Sequence, residues 1–371
     1  MRFICDQQNL AKALNTVSKA VTARTTIPIL KGILLKVTDD GSLIMGASDL
    51  DLSIEKKISV DDYEAGETVV QAKLFSDIIK KLPQSPVTIE MIEENIRIKC
   101  ASSEFNIVGM PADEFPNINA DIDQKERILF DREILKEMIR KTSFAASIDE
   151  ARGVITGVLI EMKEKALNMV ALDGFRMAVA REAILNAKEQ RIIIPAKNLN
   201  EIYKILSEND EKGEDADLYI NEKRALFIID DTKVVLRLLE GEFVDYEMIL
   251  PKESKCRVVL NKDDFLEGIE RASLLAKVGK NNLIKLDIKN NNLEITSKSE
   301  EGKVKEEMII SKEGEDITIG FNSKYMIDAL KAVEDEEIEM EFNSKINPFI
   351  IKPLSGNSYE YLIMPVRITD N

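Results

Sequence analysis

An internal repeat limits the fold more than any other feature. Three stretches open alike: RFICDQQNLAKAL from Arg2, RILFDREILKEMI from Arg127 and RVVLNKDDFLEGI from Arg257. In each, a short apolar strand runs into a residue suited to cap a helix, Asp6, Asp131 or Asn261. A side-chain oxygen there can accept a hydrogen bond from an unpaired N–H of the first helical turn. Apolar residues follow four and eight positions past the cap, at Leu10 and Leu14, Leu135 and Ile139, Phe265 and Ile269. That is helical spacing.

A second trio follows in the same order. TVVQAKLFSDIIKKLP (68–83), IIIPAKNLNEIYKILSE (192–208) and ITIGFNSKYMIDALKAVED (317–335) each read as a strand and then an amphipathic helix. Strands GILLKV, GVLIEM and LIKLDI recur from 32, 157 and 283. Each copy closes on a strand and a turn, the third with EYLIMPVRITDN. The spacing predicts three copies of one domain, at 1–124, 125–252 and 253–371. Each holds two helices and many short strands, an α+β architecture. Strand order within a sheet cannot be read from this pattern.

Composition removes several kinds of chemistry. The chain has no histidine, which excludes His-based triads, His general base catalysis and His metal ligation. Cys5, Cys100 and Cys256 are odd in number, far apart and form no CxxC pair, so neither a disulfide frame nor a zinc site is expected. Neither a metal nor a cofactor is expected. No apolar run approaches the ~20 residues of a membrane span, and MRFICDQQNL does not read as a signal peptide. The expectation is a soluble protein of the reducing cytoplasm, its cysteines buried as small apolar residues. The net charge is −16, from 51 basic against 67 acidic residues, and argues superficially against nucleic acid. A local basic stripe can coexist with an acidic exterior.

The whole chain resembles the bacterial sliding clamp family, the beta subunit of DNA polymerase III. The likeness rests on TARTTIPILKGILLKV, ADEFPN, ALDGFRMAV and the terminal YLIMPVRI, in that order. It implies three clamp domains, each with two helices packed on antiparallel sheets, in a non-catalytic subunit. It implies a homodimer closing head to tail into a ring around double-stranded DNA. Partners would be the DNA polymerase III catalytic subunit, the clamp loader and other proteins carrying a clamp-binding motif.

Charge placement offers a separate view of DNA binding. Residues 7–24 carry Lys12, Lys19 and Arg24 and no acid. Lys73, Lys197 and Lys324 recur at one position in the three copies. The first helix of the third copy breaks the pattern with Asp263, Asp264, Glu267 and Glu270. Lysines on a helix also fit a plain solvated face. No helix-turn-helix, zinc finger or RNP-type motif appears, so binding would be non-specific and salt-sensitive. The resemblance carries DNA contact to Arg24 and Lys73. Where family members place an aromatic pair, this chain has Gly153 and Val154, leaving Arg152 and Lys141 as nearby candidates.

The hairpins of the three copies differ. LIMGASDLDLSIEKKI and LEITSKSEEGKVKEEMII are polar around the turn, whereas NMVALDGFRMAVA (168–180) carries Leu172, Phe175 and Met177. Such an apolar departure marks a contact or local core packing. The resemblance implies one peptide pocket. It would be built from Ile155, Leu172, Gly174, Phe175, Arg176 and Met177, then Val244, Met248 and Ile249. Pro348 would add a wall, and Leu362, Ile363, Met364, Pro365, Val366 and Arg367 would come from the tail. Two rival readings remain. One is a carboxylate enzyme using Asp173, although Asp173-Gly174 is more simply a turn. The other is a repeat-built interaction scaffold that never meets DNA.

Overall fold

The computed structural model describes residues 1–118, 122–163, 165–184, 189–208, 215–279 and 281–368. Its α-helices run over Gln7–Val17 (α1), Ala72–Lys81 (α2), Arg132–Thr142 (α3), Ala196–Ser207 (α4), Lys262–Ala276 (α5) and Ser323–Lys331 (α6). Each repeat thus holds a pair, where the apolar spacing places them. Asp6 Oδ1 caps α1 by accepting from Gln8 N at 2.9 Å and Asn9 N at 3.0 Å. Asn261 Oδ1 caps α5 by accepting from Asp263 N and Asp264 N, both at 3.0 Å. The six apolar positions predicted to face inward are at most 1% exposed.

The described residues divide into two compact units, 1–132 with 201–238 and 133–200 with 239–371. The middle repeat, expected at 125–252, contributes to both. Strand pairing explains the division. In the first unit a thirteen-stranded sheet pairs Thr232–Arg237 of the middle repeat with Leu52–Ser59 of the first. Val234 lies opposite Ile54 and Leu236 opposite Leu52, which satisfies both strand edges and keeps their apolar residues in register.

In the second unit a nine-stranded sheet pairs Arg176–Ala183 of the middle repeat with Tyr359–Ile363 of the third. A four-stranded sheet holds Leu283–Lys289, Asn292–Ser299, Gly302–Ile309 and Ile317–Asn322. Helix α1 packs on α2 in the first unit, and α5 packs on α6 in the second. Cys5, Cys100 and Cys256 are buried free thiols, as the composition predicts.

Candidate interaction sites

The 168–180 segment forms a hairpin, with strands Ala166–Leu172 and Arg176–Ala183 in register up to Leu172 opposite Met177. Gly174 turns the chain at φ +89°, a backbone region that favours a residue without Cβ. Asp173 Oδ1 accepts from Phe175 N at 2.8 Å and from Arg176 N at 3.0 Å. Asp173 Oδ2 accepts from Arg176 Nε at 3.1 Å. Both carboxylate oxygens therefore serve the turn.

Arg176 is only 8% exposed. Its Nη1 lies 2.6 Å from Asp328 Oδ2 on α6, and its Nη2 donates to Phe144 O at 2.6 Å. The guanidinium carbon stands 4.7 Å from the Tyr325 ring centre and 5.5 Å from that of Phe144. This is a brace between the hairpin and α6, with every guanidinium nitrogen engaged. On its outer side the Phe175 ring stacks on Tyr325 with centres 6.5 Å apart. Burial first, then the negative charge of Asp173, pushes the Tyr325 hydroxyl above its ordinary pKa.

The C-terminal tail is tied to the same place. Met364 N donates to Phe175 O at 2.8 Å, and Val366 N donates to Gly320 O at 2.7 Å. A Cβ on Gly320 would come within 2.9 Å of Val366 O, so a glycine lets the tail lie that close. Pro365 and Val366 are half-buried and Arg367 is exposed. Pro348, also half-buried, directly precedes Phe349, which lies opposite Ile363 in the nine-stranded sheet.

The pocket residues implied by the resemblance separate into two groups. Leu172, Met177 and Leu362 are buried in one cluster with Phe243 and Tyr246, against which Val154 and Ile155 pack. Ile363 is 1% exposed and belongs to the core. Phe175 (57% exposed), Val244, Met248, Ile249 and Met364 show apolar side chains to solvent. Of the five hairpin residues named for the pocket, Gly174 and Phe175 are exposed, whereas Leu172, Arg176 and Met177 are buried. Tyr325, Asp328, Phe144 and Tyr246 escaped sequence reasoning. They sit far along the chain from the hairpin; Tyr246 adjoins a segment predicted for the peptide pocket, and Tyr325 adjoins only the predicted DNA contact Lys324.

The repeated lysines occupy equivalent places. Lys73, Lys197 and Lys324 are each the second residue of α2, α4 or α6, and all three are exposed. A cation there opposes the helix dipole, so helix stability does not account for the recurrence. Neither Lys73 nor Lys324 has a carboxylate partner among the described residues. Lys197 has Glu150 at 3.9 Å, with both side chains well exposed. Arg24 lies exposed in the segment after α1.

Arg152 and Lys141 differ from these. Arg152 donates through Nη1 to Asp173 O, fastening the hairpin turn. Lys141 is half-buried and lies 3.4 Å from Glu137 Oε2. Val154 packs against the buried cluster beside exposed Gly153, so this segment offers no aromatic ring.

Three α+β repeats with recurrent basic helix starts, and an apolar surface beside a pinned tail, define the clamp class of repeat protein. Family models for the N-terminal, central and C-terminal domains of the DNA polymerase III beta subunit match residues 1–119, 130–245 and 247–367. The beta sliding clamp of Bacillus subtilis strain 168 is 38% identical over 382 residues, covering 99% of this chain and all of that one. That of Staphylococcus epidermidis is 37% identical over 379 residues, covering 99% of each chain. The crystal structure of the Bacillus subtilis DNA polymerase sliding clamp superposes with a TM-score of 0.94 at 37% identity over the full length of both chains. The beta subunit from Thermotoga maritima gives 0.92 at 31% identity, covering 99% of this chain and 100% of the other. The chain belongs to the DNA polymerase III beta subunit family, the sliding clamps.

Proposed function

We propose that the chain is a non-catalytic DNA sliding clamp of the cytoplasm, in which two copies close head to tail around duplex DNA. Its working repeats are 1–124, 125–252 and 253–371. Arg24, Lys73, Lys197 and Lys324 contact phosphates without reading sequence. Peptides of the DNA polymerase III catalytic subunit, the clamp loader and other replication proteins dock around Phe175, Val244, Met248, Ile249 and Met364. Each large apolar side chain buried there contributes ~1.5–3 kcal/mol, offset in part by ordering the peptide. Affinities on the order of micromolar follow, suited to partners that exchange.

One observation carries ring closure. Among the described residues, the longest strands with an open side are Ser103–Met110 in the first unit and Gly302–Ile309 in the second, eight residues each. Ser103–Met110 pairs on one side with Asn95–Cys100, and on the other only Gly109 and Met110 find partners among the described residues. Among the described residues, Gly302–Ile309 pairs only with Asn292–Ser299. Apolar side chains lie exposed along them: Phe105 at 40%, Val108 at 71% and Ile309 at 89%. Helix α5, which packs beside Gly302–Ile309, exposes Leu274 at 68%. Long open edges with apolar flanks invite another chain. Pairing one kind of edge with the other between two copies is a heterologous contact that can close a ring.

Sedimentation equilibrium tests this. The unaltered protein is expected at twice the chain mass of 41.8 kDa. Phe105→Asp and Ile309→Asp are each expected to give folded monomers. A monomer from the unaltered protein at micromolar concentration contradicts the reading.

A further inference from the structure

We propose that a cavity in the first unit is a binding site for a small phosphate-bearing anion, separate from the duplex and peptide contacts above. The cavity has a volume of about 700 Å³ and opens between α1, the strand Leu52–Ser59, the turn at Asp230–Asp231 and the end of α4. That size suits a small-molecule ligand.

Arg132 lines it and is 5% exposed. Its Nη2 lies 2.7 Å from Asp230 Oδ2, while Nε and Nη1 are buried with no hydrogen-bond partner. Buried donors are nearly always satisfied, and a guanidinium presents its donors as a planar fork. Two idle arms of that fork in the wall of a cavity call for an acceptor group with several oxygens.

The rest of the wall has the matching charge. Lys12, Lys56 and Lys80 line the same cavity. Lys12 and Lys80 have no carboxylate partner among the described residues. Lys56 Nζ donates to the neutral Thr232 hydroxyl at 2.9 Å. The nearby acids are largely committed elsewhere. Asp40 lies 3.2 Å from Lys57, and Glu208 binds Lys19 while accepting from Thr16 Oγ1 at 2.7 Å and Asn15 Nδ2 at 3.1 Å. Asp231 remains as the opposing carboxylate. Three ammonium groups and a half-used guanidinium favour a multiply charged oxyanion over a single carboxylate, and a phosphate group supplies that charge.

Calorimetric titration of the full-length protein at low salt tests the site, with inorganic pyrophosphate and dATP as probes and no metal added. Binding at one site per chain is expected. In a Lys12→Ala/Lys80→Ala double variant of unchanged melting temperature, it should weaken at least about tenfold. Pyrophosphate binding alone marks an inorganic ligand, and binding of both probes marks a nucleotide. Either supports the site. Lys73→Ala/Lys324→Ala should leave the affinity unchanged. The proposal is overturned if neither probe binds at millimolar concentration, if the first double variant binds as well as the parent, or if the second weakens binding equally.

Discussion

Arg176 and Asp328 form an ion pair at 2.6 Å that joins residues 152 positions apart in sequence. It ties a hairpin of the middle repeat to a helix of the third, beneath the exposed Phe175 ring. Support and contact are thus divided between neighbouring residues, and substitutions should separate them. Arg176→Ala strands two carboxylates and should cost about 3 kcal/mol of stability, read as a lowered denaturant midpoint. Phe175→Ala should leave the midpoint nearly unchanged and weaken an apolar polymerase peptide about tenfold or more by fluorescence anisotropy. Equal stability losses in the two variants would contradict this division.

Much of this was legible in the chain. The caps at Asp6 and Asn261, the buried partners Leu10, Leu135 and Phe265, and the lysine at the second position of α2, α4 and α6 follow from local spacing. The hairpin turn was legible too, because Asp-Gly has few other uses between apolar strands. Arg176 was not. An arginine among apolar residues reads as a surface contact, and nothing nearby shows that Asp328, Tyr325 and Phe144 converge on it. The pairing of Thr232–Arg237 with Leu52–Ser59 was hidden for the same reason. Strand edges meet through distant register, which local periodicity does not encode.

The lysines at the helix starts should act on DNA through salt. Replacing Lys73, Lys197 and Lys324 by alanine should flatten the dependence of duplex binding on salt by about 0.9 in log–log slope for each phosphate that is no longer neutralised. Lys141→Ala, whose ammonium is already beside Glu137, should leave the slope unchanged. An unchanged slope in the triple variant would remove these residues from the DNA interface.

The buried thiols make stability sensitive to alkaline pH. Burial first, then the charges of Asp6 and Asp61, pushes Cys5 from 9.0 up to about 11. The unfolded thiol ionises at lower pH than the folded one. Its contribution is therefore complete below pH 9.0 and is lost as pH rises toward about 11. Melting temperature should fall across that window, and by less in Cys5→Ala. The same fall in both proteins would assign the loss to other groups.

Ring closure makes the most direct demand, since a closed ring holds DNA by topology and an open one by affinity. Labelled protein loaded onto nicked circular duplex should dissociate slowly at moderate salt. Cutting that circle with a restriction enzyme should release it rapidly over the ends. Equal dissociation rates from circular and linearised DNA would contradict the account.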